Sequence, residues 1–448
     1  MSTPNKVAES GNIEKFIIVS NYTDNLDISM GVVELHYYET LLDNTIRVSS
    51  RIVDSGFRKA AIRKKVDYEA ATENDEIFEA PGDDNTLITG GEKVILSFSD
   101  NQGSTLSFPE LRVQQTRDIS DSTQFSSFTV DLFSKESIIN EYVDKRVVLH
   151  YEGNISDSVK KIITENLETD NEIEIDPTVN KWVFNGNNEK PFYKLCGLGP
   201  RSVPEEVPNA LGNVAGYFFW ESATKDGKGK RYCFKSIDKL LSQSPKRTLI
   251  YTDTPGGTIL DYSFISTVDV KEKIVNAAFS SSKLISFDPS NQKYDEKNPS
   301  SSKKQETSGV LGGKEFPKMA KDLDLSNKET TISTQILDTG TLPPGTNLDA
   351  QLSKAKEVNF DTTQIMRQAR QRYNQLFTYK LTITIAGDFS LRAGDMVFVK
   401  FPEVNWKTDG SVSKLKSGLY MILDLCHLIR TNDTFTKLNL IRDSVFSK

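Results

Sequence analysis

The sequence has few of the residues that build metal centres and redox sites. Its 448 residues include only three cysteines and three histidines. The cysteine spacing fits neither a zinc site nor a redox pair, and no two histidines stand at metal-ligand spacing. An odd, sparse cysteine count is typical of a chain that folds in a reducing compartment with small buried thiols. These six residues are Cys196, Cys233, Cys426, His36, His150 and His427.

Long apolar runs and known catalytic motifs are also missing. No stretch of about 18 apolar residues occurs, so we expect no membrane span. The segment 1–15 is polar and has no signal-peptide core. A phosphate-binding P-loop, a G-x-S-x-G nucleophile turn, an H-E-x-x-H zinc motif and paired C-x-x-C motifs do not occur. We therefore predict no catalytic, cofactor-binding or metal-binding residues, and no enzyme.

Charge of one sign does not dominate. The chain has 55 Lys and Arg against 62 Asp and Glu, a formal net charge of -7. This balance argues against tight non-specific binding of nucleic acid, which needs clustered cations. The length predicts two to four domains.

Period-two alternation of apolar residues predicts a mainly β chain with some helix. It appears first in 16–19 and 46–52, then in 94–98 and 128–132, and 146–151 is a further strand candidate. A helix capped by Ser156 is predicted to follow, with Val159, Ile162, Ile163 and Leu167 on one side. The next predicted elements are a hairpin over 216–234 with a glycine-rich turn at 225–230, a short helix over 236–242, and strands within 248–287 that include Val275, Ala277 and Phe279.

The composition then changes. Residues Asp288 to Asn347 are rich in Ser, Lys, Asp, Asn, Gly and Pro, which predicts an exposed polar excursion that orders only against a partner. A helix is predicted over 364–377, with Ile365, Met366, Ala369 and Tyr373 along one side. The last stretch predicts a four-strand antiparallel meander over 379–385, 396–401, 418–429 and 434–441, with turns at Gly387-Asp388 and at Gly394-Asp395.

Several features suggest chemistry but favour a structural interpretation. The basic turn Lys225–Arg231 could touch phosphate, although a solvated turn is favoured. His427, beside Cys426, fits a core position better than a metal site. Asp322, Asp324 and Ser326 resemble a calcium loop, but Asn327 and Ser333 replace its Gly and Glu, so a solvated loop is favoured. Glu221 and Asp238 have no supporting pattern for a glycosidase pair. The run Phe218–Trp220 favours core packing over a ligand platform.

The C-terminal segment contains an ordered set of strings: YKLTITIAGD from Tyr379, LRAGDMVFV from Leu391, SGLYMI from Ser417, then His427, and TKLNL from Thr436. This set resembles the closing barrel of the baseplate hub proteins of contractile-tailed bacteriophages. The 216–234 hairpin and Tyr262–Phe264 resemble the middle parts of those proteins, and 52–56 with 90–98 resembles the first barrel. The resemblance rests on the ordered set more than on any single motif.

This resemblance implies an α+β, mainly β, fold with two tail-tube-like antiparallel β-barrels, an inserted α+β domain and a long polar loop. The domains expected from it are 1–153 (first barrel), 154–247 (middle domain), 248–287 with 377–448 (second barrel), and 288–376 (polar excursion plus helix). No internal repeat is visible between the two β regions, so the resemblance alone implies the duplication. The excursion is longer than a simple barrel connection.

The function implied is that of a structural hub in the tail baseplate of a virion, assembled in the host bacterial cytoplasm. Three chains would form a ring of six barrels that adapts a hexameric tail tube to a trimeric central spike. The implied partners are two further copies, the tube protein above, the spike protein below, surrounding baseplate proteins and a tape measure protein. DNA would pass through the lumen without specific binding. The alternatives are a spike-base subunit of a related injection system or long flexible tail, and a tail-associated cell-wall hydrolase.

Overall fold

We describe a computed structural model of the chain, which defines most of both β regions and of the segment between them. None of the helices in this part of the chain is long and apolar enough to cross a membrane. The described residues are 10–20, 25–54, 88–122, 125–205, 215–252, 257–266, 269–275, 281–289, 292–297, 313–315, 329–336, 346–347, 349–350, 362–403 and 412–447.

The first part of the chain forms seven strands of one large sheet. Apolar residues alternate along them as predicted, so that Val48 and Ile52 are buried while Arg47 and Arg51 are exposed. Neighbouring strands follow the order β3-β4-β7-β6-β5-β1-β2. Their bounds are β1 (Asn12–Val19), β2 (Leu26–Asp27), β3 (Val32–Thr40), β4 (Arg47–Asp54), β5 (Lys93–Ser99), β6 (Thr105–Asp121) and β7 (Ser126–Phe133).

The middle of the chain is an α+β module with its own core. The helix predicted near Ser156 is present, but its N-cap is Asn154, and Ser156 lies in its first turn. The strands form a three-stranded sheet, β11-β12-β9, and a pair, β10-β8. The elements are α1 (Lys135–Ile139), β8 (His150–Tyr151), α2 (Ile155–Asn166), β9 (Glu172–Ile175), β10 (Phe184–Asn185), α3 (Pro191–Leu198), β11 (Tyr217–Ala223), β12 (Lys230–Ser236) and α4 (Ile237–Leu241), with 3-10 turns at Val143–Lys145 and Gly199–Arg201 and, before β3, at Ser29–Gly31.

The last part returns to the large sheet. Six of its strands join this sheet in the order β14-β19-β22-β21, with β20 paired to β21 and to β13. The elements are β13 (Arg247–Ile250), β14 (Ile259–Ser266), α5 (Val270–Val275), β15 (Ser281–Asp288), β16 (Lys293–Lys297), β17 (Gly313–Glu315), β18 (Glu329–Ile336), α6 (Thr362–Leu376), β19 (Tyr379–Ala386), β20 (Met396–Lys400), β21 (Gly418–Arg430), β22 (Thr434–Arg442) and β23 (Val445–Ser447).

The two halves form one continuous 13-stranded sheet, because β21 pairs antiparallel with β3. In this register Cys426 faces Tyr38. The sheet also curls, so that strands far apart in its order face each other. The ring centroids of Tyr37 on β3 and Phe108 on β6 are 5.4 Å apart, and those of Tyr262 on β14 and Phe401 after β20 are 4.9 Å apart. Pairing among the described strands nevertheless does not close either half into a barrel. The prediction of a mainly β fold is therefore confirmed, while the two closed barrels are not observed among the described strands.

The predicted C-terminal meander is wrong in one connection. Strands β20, β21 and β22 are neighbours in sequence order, but β19 pairs with β22 and not with β20. The turn after β19 continues the pairing with β22. The N–H of Gly387 donates to the Thr434 carbonyl at 2.9 Å, and the N–H of Asp388 donates to Thr436 Oγ1 at 3.0 Å. The chain then crosses the sheet and forms β20 against β21.

Three further predictions differ from the structure. Only His150 and Tyr151 of the 146–151 candidate form a strand. Val275 ends helix α5 instead of lying in a strand, while Ala277 and Phe279 lie outside the described residues. The polar excursion includes β16 and β18, which both pair with β15, and β17, which pairs with β23. Five of the eight residues of β18 are β-branched Thr or Ile, and such residues favour a strand although the composition of the segment is polar. The helix predicted over 364–377 is confirmed as α6.

Candidate functional site

The outer face of the continuous sheet is a candidate contact surface. Side chains of β3 alternate, so that Leu35, Tyr37 and Glu39 are buried while His36 and Tyr38 face outward. Across the junction, Tyr38 is opposite Cys426, and His36 stacks on Tyr38 with ring centroids 5.9 Å apart. We call the outward side chains of β3, β4, β6, β7, β19, β21 and β22 the outer face.

Charges of both signs are paired on the outer face. Arg430 Nε donates to a Glu34 oxygen at 3.1 Å, and Arg117 Nε donates to an Asp131 oxygen at 2.8 Å. Partial burial raises the pKa of each carboxyl, but the hydrogen bonds and charges of these arginines outweigh burial and leave the pKa of Glu34 and Asp131 lowered. Both acids therefore stay ionised and offset the arginines beside them. This face is polar without a large field of one sign.

A buried network attaches the β11–β12 hairpin to the first half of the sheet. The Glu221 carboxylate on β11 accepts the N–H of Ile46 at 2.8 Å and the hydroxyl of Ser134. Lys230 on β12 lies 3.5 Å from Glu221 and 2.9 Å from Glu136 on α1. Glu136 accepts two further hydrogen bonds, from Thr169 and Asn171. Buried charges need such partners, because an isolated one costs several kcal/mol.

The pKa of each acid in this network depends on how close Lys230 lies to it, and Glu136 is the closer of the two. Burial raises the pKa of Glu221, and Lys230 only partly offsets it. Burial also acts to raise the pKa of Glu136, but Lys230 and Thr169 outweigh burial and lower it. For Lys230, burial lowers the pKa, and the charges of Glu221 and Glu136 outweigh burial and raise it. The stable arrangement is thus an ionised Lys230–Glu136 pair.

A second buried group joins the hairpin to the other half of the sheet. Glu39 on β3 accepts the Tyr37 hydroxyl at 2.9 Å and the N–H of Ala393 at 2.9 Å, and the N–H of Ala223 at 3.3 Å. Arg392 donates to the carbonyls of Phe389 at 2.6 Å and Thr224 at 3.3 Å. This group therefore fixes three elements at one point: β3, the end of β11 and the loop before β20.

The sequence alone did not reveal these buried charges. Lys230 stood out only as part of the basic turn. One signal was available for Glu39, since it continues the buried alternation of Leu35 and Tyr37. A carboxylate at a core position of a strand requires a buried partner. Arg392 gives no comparable signal, because it lies in a loop.

The basic turn Lys225–Arg231 lies against an acidic residue of the same chain, Glu174. Lys225 Nζ lies 3.1 Å, Arg231 Nη1 2.6 Å and Lys235 Nζ 2.8 Å from the carboxylate of Glu174 on β9. Burial raises the pKa of Glu174, but these cations outweigh it and lower the pKa to about 2. Three of the cations at the hairpin are thus drawn to an internal carboxylate, which weakens the phosphate alternative.

The tip of this turn also packs on the main sheet. The N–H of Ser107 on β6 donates to the Gly227 carbonyl at 2.7 Å. Gly227 has a φ of +75°, and a Cβ there would lie 2.1 Å from the Thr105 carbonyl oxygen. Only glycine fits this contact without a shift of the backbone.

His427 occupies a core position. Its ring packs between the rings of Tyr37 and Phe389, with centroid distances of 5.6 Å and 4.7 Å. Its Nδ1 lies 2.9 Å from Thr436 Oγ1. Burial, followed by the charge of Arg392, lowers the pKa of His427 well below its ordinary value. Within the described residues, no group of three His, Cys, Asp or Glu side chains could hold a metal ion.

The other candidate residues are placed as follows. Glu221 and Asp238 are each 1% exposed, so a polysaccharide cannot reach either carboxyl. Phe218, Phe219 and Trp220 are buried. The calcium-like segment with Asp322, Asp324, Ser326, Asn327 and Ser333 is only partly described: its first four positions lie outside the described residues, and Ser333 lies in β18.

Gly394 and Asp395 form the predicted turn. Gly394 has a φ of +87°, and an Asp395 carboxylate oxygen accepts the N–H of Arg392 at 2.9 Å. The turn prediction is confirmed.

Comparison with known proteins gives a fold but no family. No protein-family model matches the sequence, and no curated protein matches it. Among solved structures, the tail protein from Neisseria meningitidis aligns with a TM-score of 0.50 at 12% identity, covering 96% of this chain and 97% of that one. The chain therefore shares the fold of a tail protein.

Two further structures align over most of this chain with lower scores. The prophage MuSo2 43 kDa tail protein from Shewanella oneidensis has a TM-score of 0.47 at 8% identity and covers 97% of this chain and 100% of its own. The E. coli c3393 protein, described as a component of the type VI secretion system, has a TM-score of 0.44 at 10% identity, with coverages of 97% and 79%. We base the fold assignment on the Neisseria structure alone.

Proposed function

We propose that this chain is a structural hub subunit of a phage tail baseplate. Three copies would form a ring with pseudo-sixfold symmetry, which adapts a hexameric tail tube above to a trimeric spike below and continues the DNA channel. Surrounding baseplate proteins and a tape measure protein would be its other neighbours, and the assembled virion tail its location. The fold shared with a tail protein supports this proposal.

The continuous sheet is the observation that carries the proposal. Its two halves have separate sequence origins, at 12–133 and 247–442, yet they pair through β3 and β21 without a gap. A ring that shows sixfold symmetry from three chains needs two wall segments in each chain. These two halves supply them, and the domain bounds that we propose are those expected from the sequence: 1–153, 154–247, 248–287 with 377–448, and 288–376.

The ends of the sheet supply a way to form the ring. Among the described strands the branched sheet has three ends: β14 pairs only with β19, β13 only with β20, and β2 only with β1. Unpaired strand edges recruit further strands, because their N–H and C=O groups need partners. We infer that the β14 edge of one copy meets the β1–β2 edge of the next. Such a head-to-tail contact closes into a ring when the rotation between copies is 120°.

The outer face suits a channel that does not hold DNA. Two of its arginines, Arg117 and Arg430, are paired with carboxylates, which reduces the positive charge that can displace counterions from phosphate. In the proposed ring this face lines the lumen.

Two alternatives remain distinguishable by experiment. A spike-base subunit of a related injection system or of a long flexible tail would share the sheet and differ in its neighbours. A cell-wall hydrolase would need accessible acid and base groups, and Glu221 and Asp238 are buried. A zymogram with peptidoglycan should show no clearing by this chain.

The mass of the full chain in solution, measured by light scattering over a range of concentrations, tests the ring. We expect three times the monomer mass at high concentration, and threefold images by electron microscopy. Ser263 lies in β14, where proline is poorly tolerated, so Ser263→Pro should disrupt this edge strand and release monomers, whereas Ser263→Thr should keep the trimer. A wild-type chain that stays monomeric and binds neither tube nor spike proteins would contradict the proposal.

A further inference from the structure

Three ligand-type atoms lie together on the outer face, at the junction between the two halves of the sheet. Cys426 on β21 is opposite Tyr38 on β3. His36, also on β3, has its Nδ1 3.8 Å from Cys426 Sγ and 3.3 Å from Tyr38 Oη. A sulfur, a nitrogen and a phenol oxygen therefore surround one small space. Spacing along the chain could not predict this group, because His36 and Cys426 are 390 residues apart.

Glu34 holds the His36 ring in the orientation that a metal ligand needs. A carboxylate oxygen of Glu34 lies 3.2 Å from Nε2 of His36. An ionised carboxylate can only accept, so the hydrogen of the neutral ring lies on Nε2 and the lone pair on Nδ1. Histidines that bind metals commonly have this arrangement, in which a carboxylate accepts from the second ring nitrogen. The free lone pair of His36 thus stands beside Cys426 and Tyr38.

The separations between these atoms suit a tetrahedral divalent ion. Zinc binds thiolate sulfur at about 2.3 Å and nitrogen or anionic oxygen at about 2.0–2.2 Å. At tetrahedral angles these lengths place the sulfur about 3.6 Å and the oxygen about 3.4 Å from the nitrogen. The corresponding distances from His36 Nδ1 are 3.8 Å to Cys426 Sγ and 3.3 Å to Tyr38 Oη. Only small movements of the side chains are needed to complete such a site.

We propose that Cys426, His36 and Tyr38 bind a divalent transition-metal ion of the zinc type. Cys426 would bind as the thiolate, His36 through Nδ1 and Tyr38 through Oη, with water in the fourth position. A thiolate with an imidazole favours zinc over magnesium or calcium. Glu34 stays outside the ligand set, because it holds the opposite nitrogen of the ring. The ion would connect β3 with β21 and so stabilise the junction within a single chain, with or without the proposed ring.

The proposed site has a characteristic pH dependence. Burial raises the pKa of Cys426 to about 11 and that of Tyr38 to about 12, so both groups hold their hydrogens at neutral pH. The ion must displace these hydrogens, and its affinity should therefore rise above pH 7 by about tenfold per pH unit for each proton released. A site made of carboxylates alone would show no such rise, because carboxylates are already ionised.

Titration of the reduced full chain with Co²⁺ tests the site. Co²⁺ takes the place of zinc, and a thiolate ligand gives it an intense absorption band in the near ultraviolet. We expect one equivalent per chain to produce this band, and Zn²⁺ to remove it by displacing Co²⁺. Cys426→Ser should abolish the band. No band with the wild-type chain, or the same band with Cys426→Ser, would overturn the proposal.

Variants assign the other groups through competition between Zn²⁺ and a metal-sensitive dye. His36→Gln and Tyr38→Phe should each weaken zinc binding by about tenfold or more, and so should Glu34→Gln, since loss of a carboxylate behind a histidine ligand costs about 10–100-fold. A matched control, Cys196→Ser with His150→Gln, removes the same residue types from the middle module and should bind zinc as tightly as wild type. An equal loss in the control, or unchanged affinity in Tyr38→Phe, would reject the three-ligand site.

Zinc should also stabilise the folded chain, because the ligands come together only when β3 and β21 pair. The midpoint of thermal unfolding should rise with zinc for the wild type and stay unchanged for Cys426→Ser. No rise for the wild type would contradict a role at the junction. Light scattering on the same samples separates this inference from the ring. A trimer that does not bind zinc rejects the site and leaves the ring, whereas zinc binding by a chain that stays monomeric rejects the ring and leaves the site.

Discussion

The ammonium of Lys230 lies 2.9 Å from a carboxylate oxygen of Glu136, and the two side chains are only 5% and 6% exposed. Lys230 belongs to the middle hairpin and Glu136 to the helix that follows the first half of the sheet. This ion pair connects a module to the sheet across 94 residues of sequence. Such a buried connection holds the middle module on the first half of the sheet.

We predict that Lys230→Met strongly destabilises the chain. The substitution fills similar volume but leaves Glu136 and Glu221 without their shared cation, and breaking a buried pair on one side costs about 3–5 kcal/mol. Urea unfolding followed by fluorescence should show this loss. Lys225→Met is the control, since Lys225 is 73% exposed and exposed pairs contribute at most about 1 kcal/mol. Equal losses for the two variants would mean that the buried network does not stabilise the fold.

Gly227→Ala should detach the hairpin tip from β6. The new Cβ would lie 2.1 Å from the Thr105 carbonyl oxygen, in addition to the cost of a positive φ. We expect a loss of about 2–4 kcal/mol in the free energy of unfolding. Gly103→Ala is a matched control, because Gly103 has a φ of +88° but open space around it. The control should lose only about 1 kcal/mol. The difference between the two variants therefore measures the contact of Gly227 with β6. Equal losses would mean that the hairpin tip shifts to accommodate the new methyl group.

Acidification should destabilise the chain through His427. The folded chain holds this buried imidazole neutral, since burial keeps its pKa well below 6.5. The unfolded chain takes up the proton near its ordinary pKa, so stability falls as the pH drops below about 6.5, by up to about 1.4 kcal/mol per pH unit. Above that pH the imidazole is neutral in both states, so this group adds no pH dependence to stability.

The pH dependence can be assigned with one variant. His427→Asn keeps a polar group near Thr436 but does not titrate. Its free energy of unfolding should fall less steeply between pH 7 and pH 5 than that of the wild type, whatever its absolute stability. Parallel curves would assign the acid sensitivity to other groups.

Removing acids from the outer face should create DNA binding. The double variant Glu34→Gln, Asp131→Asn leaves Arg430 and Arg117 without their carboxylate partners. We expect duplex DNA to bind the variant more tightly than wild type at low salt, with a steeper salt dependence by about two counterions. Electrophoretic mobility shifts at several salt concentrations measure this.

A control with the same change of net charge is available for the DNA experiment. Glu152→Gln with Asp157→Asn alters two exposed acids of the middle module. This variant should bind DNA no better than wild type. If both double variants gain the same affinity, total charge decides binding and the outer face has no special role.

Local patterns were sufficient for many elements. The alternation of Leu381, Ile383 and Ile385 correctly predicts β19, and the glycine-rich turn correctly predicts the β11–β12 hairpin. These features depend on neighbours in sequence, since the period of two or 3.6 residues is set by backbone geometry. The turn at Gly394 was predictable for the same reason, because only glycine readily takes its φ.

Pairing between distant strands was not predictable. Strand β19 pairs with β22 along its whole length, and two bonds from the following turn to Thr434 and Thr436 extend this pairing. Nothing in the spacing of the strands encodes that choice. The strands within the polar excursion were not predicted, because its overall polar composition masks the β-branched residues that favour a strand in β18.

The amino-acid sequence by itself determined a mainly β chain with few metal-binding side chains, a hairpin, two long helices and a balance of charge. Only the tertiary structure decided that β3 and β21 join two halves into one sheet, and that Glu39 receives the N–H of Ala393 from 354 residues away. The physical reason is that strand propensity arises from each residue and its near neighbours. Which strand edges meet, and which buried charges find partners, depends on the free energy of the whole packed arrangement.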